Sequence, residues 1–134
     1  MSYALKESPG RVEAEVAAES GEALLREAFR ATLHAVYGSE EPAQIVAPRV
    51  VPIQGGGDDD AGVLSDLLPE LLAFTGSTGG RLCSPRWMAF DDRRVTATFP
   101  VAEIAVTPRS LHLVRSVGKS GKVRLVFGDG PATT

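Results

Sequence analysis

A strand, a helix, an edge strand, a second helix and then two hairpins, in that order, predict an α+β domain with two helices packed on one face of a largely antiparallel β-sheet. Three observations carry this prediction. Residues 11–19 alternate, with Val12, Ala14, Val16 and Ala18 on one side and Arg11, Glu13 and Glu15 on the other, as in a strand with one wet face. Leu25, Phe29, Leu33 and Val36 then recur at helical spacing. Near the end, two stretches of strand-forming residues flank Asp91-Asp92 and two more flank Gly118-Lys119-Ser120-Gly121, each pattern reading as a hairpin.

The first helix is expected to start after Ser20 as N-cap, with Glu22 in the favourable first turn, and to stop at Gly38, a residue suited to a left-handed C-cap. Residues 45–54 contain Val50, Val51 and Ile53, but Pro48 and Pro52 cannot donate to a ladder, so this strand belongs at a sheet edge. The second helix should run from near Asp60 to Gly76 and be apolar nearly all round. Pro69 inside it removes a hydrogen bond and crowds the preceding turn, which predicts a kink or a well-formed part beginning close to Asp66. Strands are expected over 86–90, 94–99, 111–117 and 122–127. The ends, Met1 to Pro9 and Gly130 to Thr134, read as frayed tails around an ordered core of about 10–128.

At 134 residues the chain fits a single domain with a real hydrophobic core. Its net charge of −3 and pI near 5.4 argue against a protein that grips nucleic acid through a broad basic field of its own; a protein partner is the easier expectation. The single cysteine, Cys83, cannot form an internal disulfide, and no charged-then-apolar leader opens the chain, so cytoplasmic residence is expected. The apolar run from Val63 to Phe74 falls short of the about 20 residues needed to span a bilayer.

The strongest cluster of chemistry-bearing residues is Asp58-Asp59-Asp60, which follows Gly55-Gly56-Gly57 at the start of the second helix. Three anions there can cap free N–H groups, oppose the positive end of the helix dipole or bind a cation. Capping is the simpler reading, because a hard cation wants about six oxygens and these supply too few alone. Asp91 and Asp92 read as turn residues, His34 and His112 as surface or boundary histidines, Cys83 as a packed or partly exposed thiol, and Trp87 and Phe90 as core or rim. Arg109, Arg115, Lys119, Lys122 and Arg124 form a modest basic group near the last hairpin; they could line a solvated strand face, dock an acidic partner or touch a phosphate backbone. There is no Walker loop, paired-cysteine metal motif or nucleophile elbow, and a hydrolase built on the acidic cluster would lack a companion nucleophile or base.

The order of a strand, then Ser20-Gly21-Glu22-Ala23-Leu24-Leu25-Arg26-Glu27-Ala28-Phe29, then Asp66-Leu67-Leu68-Pro69-Glu70-Leu71-Leu72-Ala73-Phe74, and finally a closing Val126-Phe127 strand resembles the archease family. That family's later helix has the form Asp-Trp-Leu-Asn-Glu-Leu-Leu-Tyr-Leu-Phe, and here Leu67 replaces the tryptophan and Pro69 the asparagine. The resemblance covers about 12–127. It implies an α+β domain that acts, without an active site of its own, as a protein cofactor of the GTP-dependent RNA ligase in tRNA splicing and RNA repair, promoting guanylylation and turnover. It also implies a divalent cation, calcium or magnesium, held by carboxylates. The family's His-Thr-Ala-Asp is absent; an ungapped count places its aspartate on Glu15, and a small gap places it on Gly10 or Arg11. Its closing Phe-Asp appears as Phe127-Gly128-Asp129. On this resemblance the metal candidates are Glu15 and Asp129, to which the acidic run adds Asp58, Asp59 and Asp60; the residues offered for partner binding are those of the basic group, Arg115, Lys119, Lys122 and Arg124. The alternative is a module of the same fold that binds protein and has lost the metal.

Overall fold

A computed structural model describes residues 3–19, 21–40, 49–119 and 121–130. In chain order the elements are β1 (Tyr3–Ser8), β2 (Arg11–Ala17), α1 (Gly21–Tyr37), β3 (Arg49–Gly56), α2 (Asp60–Thr75), β4 (Arg81–Leu82), β5 (Trp87–Asp91), β6 (Arg94–Ala102), β7 (Leu111–Lys119) and β8 (Lys122–Asp129). This is the expected α+β architecture, two helices packed on a largely antiparallel sheet. Its strands divide into two antiparallel ladders, β1-β2-β8-β7 and a second in which β6 is flanked by β3 on one side and by β5 and β4 on the other.

Each observed element follows from its residues. Alternation along β2 and β8 sends Val12, Ala14, Val16, Val123, Leu125 and Phe127 into the core and leaves Arg11, Glu15, Lys122 and Arg124 exposed. Helix α1 buries Leu25, Phe29, Leu33 and Val36 as one stripe and ends at Gly38, whose φ of 77° is a left-handed cap and whose N–H donates to the His34 carbonyl. The Phe29 ring meets Phe99 of β6 edge to face at 5.1 Å, which locks α1 onto the second ladder. Helix α2 joins the two ladders: Gly56 N–H donates to Asp66 Oδ2 at 2.8 Å on one side, and Ser116 Oγ donates to the Ala61 carbonyl at 3.1 Å on the other.

The edge position expected for the proline-bearing strand holds for β3, which among the described residues pairs only with β6 and sets Pro52 opposite Thr98; residues 45–48 lie outside the described residues, as does the Ser20 cap. Three expectations are corrected. Residues 3–8 are no tail: they form β1, paired with β2 from Tyr3 opposite Val16 to Ser8 opposite Arg11, around a turn that Gly10 makes at φ 74°. Tertiary pairing orders them, helped by Tyr3 Oη, which hydrogen-bonds His34 Nδ1 at 2.9 Å. Helix α2 starts at Asp60 and runs through Pro69 to Thr75, as expected; what is not met is the alternative of a well-formed part beginning only close to Asp66, because Asp59 caps the helix and its apolar sides are buried on both ladders. Trp87 is 59% exposed on the outer face of β5, whereas Phe90, on the same side as the buried Met88 and 49% exposed, sits at the rim as the reading allowed, since β5 is an edge strand.

Candidate functional site

The expected site residues fall into three places. The first is the start of α2. Asp59, in extended conformation, accepts a hydrogen bond from Gly62 N–H on Oδ1 at 2.8 Å, so it is the N-cap. Asp58 pairs with Arg93 at 2.6 Å in full solvent, a contact of small energetic weight. Asp60 opens the helix, and burial, then the neighbouring Asp59 charge, raises its pKa above the ordinary carboxylate value. The capping reading of this run therefore holds for Asp59. Replacing Asp59 with alanine should destabilise the protein by about 1 kcal/mol in a urea titration; a change below about 0.3 kcal/mol would show that the cap is idle.

The second place is the far end of β8. Asp129 accepts from Arg109 Nε at 2.9 Å, and the same guanidinium reaches Glu7 of β1 at 2.5 Å. Arg109 also donates its backbone N–H to the Val36 carbonyl at the end of α1. The bond to Asp129 raises the Arg109 pKa, so the guanidinium stays charged throughout the ordinary pH range. Arg109 thus leaves the basic group in which its sequence position placed it: it is a clamp across β1, β8 and α1.

The third place is the open face of the first ladder, opposite the helices. Glu15 lies there, level with Arg124 on β8 and Ala4 on β1. The four basic residues expected to act together do share this face: Arg115 is level with Val126, Val117 with Arg124, and Lys119 with Lys122. Two more cations join them, Lys6 of β1 and Arg11 of β2, at the outward positions of their strands. The sequence reading places Arg11 on the wet face of its strand but not in the basic group, and it leaves Lys6 in a tail. For Lys6 the alternation of Leu5 against Ala4 and Lys6 is the available signal, and it is too short to distinguish a strand from a charged tail.

These positions test the cation expectation. Glu15 is level with Arg124, five residues along β8 from Asp129, a separation of about 17 Å. The Asp58 to Asp60 run lies at the opposite end from Asp129, because Ala61 packs against Gly118, which is level with Val123. Glu15 also faces outward, whereas α2 packs on the inner face. The strands do bring the start of β2 beside the finish of β8, with Arg11 level with Gly128, but no carboxylate of β2 stands there. Among the described residues no three of His, Cys, Asp and Glu gather as a metal-holding group. These carboxylates therefore do not fit one site for a hard cation, which needs about six oxygens in reach. Among the described residues, too, no helix is long and apolar enough to cross a membrane.

No family model and no curated protein matches the chain. Solved structures do. Protein 1598 of Methanobacterium thermoautotrophicum superposes with a TM-score of 0.67 at 13% identity, covering 96% of this chain and 98% of that one. An archease from Thermotoga maritima, described as a possible chaperone, superposes with a TM-score of 0.56 at 16% identity, covering 93% and 94%. Over nearly its whole length the chain has the archease-like fold.

Proposed function

We propose that the protein is an archease-like, non-enzymatic cofactor that stimulates a GTP-dependent RNA ligase in tRNA splicing or RNA repair. The observation that supports this reading most is the whole-length likeness to an archease, in which both chains are covered almost end to end. The action is exerted through surface contact with the ligase. Phosphoryl transfer depends largely on positioning and charge neutralisation, which a docked protein can improve by reshaping its partner's site without supplying a reacting group.

The dispersal of the carboxylates favours one form of this reading over another. With Glu15 level with Arg124, Asp129 clamped by Arg109 and Asp59 used as a cap, the cofactor works without a divalent cation of its own. The same observation favours the second reading, a metal-free protein-binding module of archease fold whose partner is not a ligase. Ligase turnover on broken RNA separates the two. Stimulation of a cognate ligase present in substoichiometric amounts, unchanged by the double substitution Glu15→Gln and Asp129→Asn, is the expected result. No stimulation removes the ligase reading, and stimulation abolished by that pair while the fold is retained restores the cation.

A further inference from the structure

The open face of the first ladder carries Lys6, Arg11, Arg115, Lys119, Lys122 and Arg124 against two carboxylates, Glu13 and Glu15, a surplus of four positive charges. The chain as a whole is at −3, so the remainder stands at −7 and the polarity between this face and the rest is steep. Of the six cations only Arg124 is in an ion pair among the described residues, with Glu13 at 3.2 Å. Lys119 and Lys122 stand directly opposite one another, an arrangement that destabilises a sheet unless an anion lies between them. They rim a depression of about 530 Å³ floored by Ala4, Ala17 and Val117.

We infer that this face binds the phosphodiester backbone of a single RNA strand. Alternate residues of a strand are about 6.7 Å apart and neighbouring strands about 4.8 Å, so the cations make a shallow grid that a flexible polyanion can follow. Among the described residues no Trp, Tyr or Phe points out of the face, and the exposed Trp87 and Phe90 belong to the other ladder. A protein partner is usually held by aromatic anchors in the middle of its interface, and base reading by a strand platform needs aromatic stacking. Neither is available here, whereas contact to phosphates needs only the cations. That the polymer is RNA rests on the ligase reading above; the backbone contact itself rests on the charge geometry.

Fluorescence anisotropy with a labelled 12-nucleotide RNA and the isolated protein, with no ligase present, tests this separately from ligase stimulation. Binding is expected at about 1–100 μM in physiological salt, with log K falling against log salt at a slope of about −3, as about four phosphates neutralised on a single strand require. A DNA strand of the same sequence should bind within about threefold. The triple reversal Arg115→Glu, Lys119→Glu and Lys122→Glu should weaken RNA binding at least tenfold and flatten the slope, with an unchanged melting temperature; Arg86→Glu, on the other ladder's side, should change neither. Absence of binding at 50 mM salt, or wild-type binding by the triple variant, overturns the inference. So does displacement of the RNA by polyglutamate at equal charge concentration, which would assign the face to an acidic protein. A loss of ligase stimulation with RNA binding intact would sink the ligase reading alone.

Discussion

Phe29→Ala is expected to lower the free energy of unfolding by about 3–5 kcal/mol, read as a lower urea midpoint at unchanged slope. The ring is fully buried in the middle of α1, and its edge-to-face partner Phe99 is fully buried on β6. Truncation therefore removes the transfer free energy of a whole ring, leaves a cavity between α1 and the second ladder, and loses the aromatic pair. A domain of this size has about 5–15 kcal/mol in total, so the variant should sit close to unfolding at 37 °C. Leu5→Ala is a useful contrast, because Leu5 is only partly buried at the outer strand β1 and should cost less than half as much. Equal losses at the two positions would mean that the junction between α1 and the second ladder does not hold the molecule together.

Gly57→Ala should cost about 1–3 kcal/mol, although the residue lies in a loop and the change adds one methyl group. A β-carbon there would stand 2.6 Å from the Gly62 carbonyl carbon and 2.6 Å from Val63 N, both backbone atoms of the first turn of α2. Neither can rotate aside as a side chain could. The loop also donates Gly57 N–H to the Arg93 carbonyl at 3.1 Å, so it is held on its other side by the turn between β5 and β6. Gly10→Ala gives the comparison: open space surrounds that position and only its positive φ opposes a side chain. If Gly57→Ala unfolds within 0.5 kcal/mol of wild type, the approach of the loop to α2 is looser than described.

Much of the fold could be read along the chain. Val12, Ala14 and Val16, spaced by two, and Leu25, Phe29, Leu33 and Val36, spaced by three or four, report their own faces whatever they pack against. Asp59 before an apolar run reported a helix start for the same local reason. Residues 3–8 did not report a strand, because Lys6, Glu7 and Ser8 carry no apolar rhythm and β1 is ordered by pairing with β2. Trp87 misled in the opposite direction: its apolar surface suggested the core or its rim, but its parity on β5 turns it outward.

The candidate site divides along the same line. Which residues of β2, α1 and β8 face water, where α1 ends and α2 begins, and that the last hairpin is basic were determined by the sequence alone, since each depends on chemistry repeated within a few residues. Tertiary structure decided that Lys6 and Arg11 join Lys119, Lys122 and Arg124, that Arg109 clamps Glu7 and Asp129, and that Glu15 stands about five rungs from Asp129. The physical reason is that a period of two or 3.6 specifies the side a residue points to. It carries no record of which strand lies alongside or in what register, and those two facts set every distance between charges from different parts of the chain.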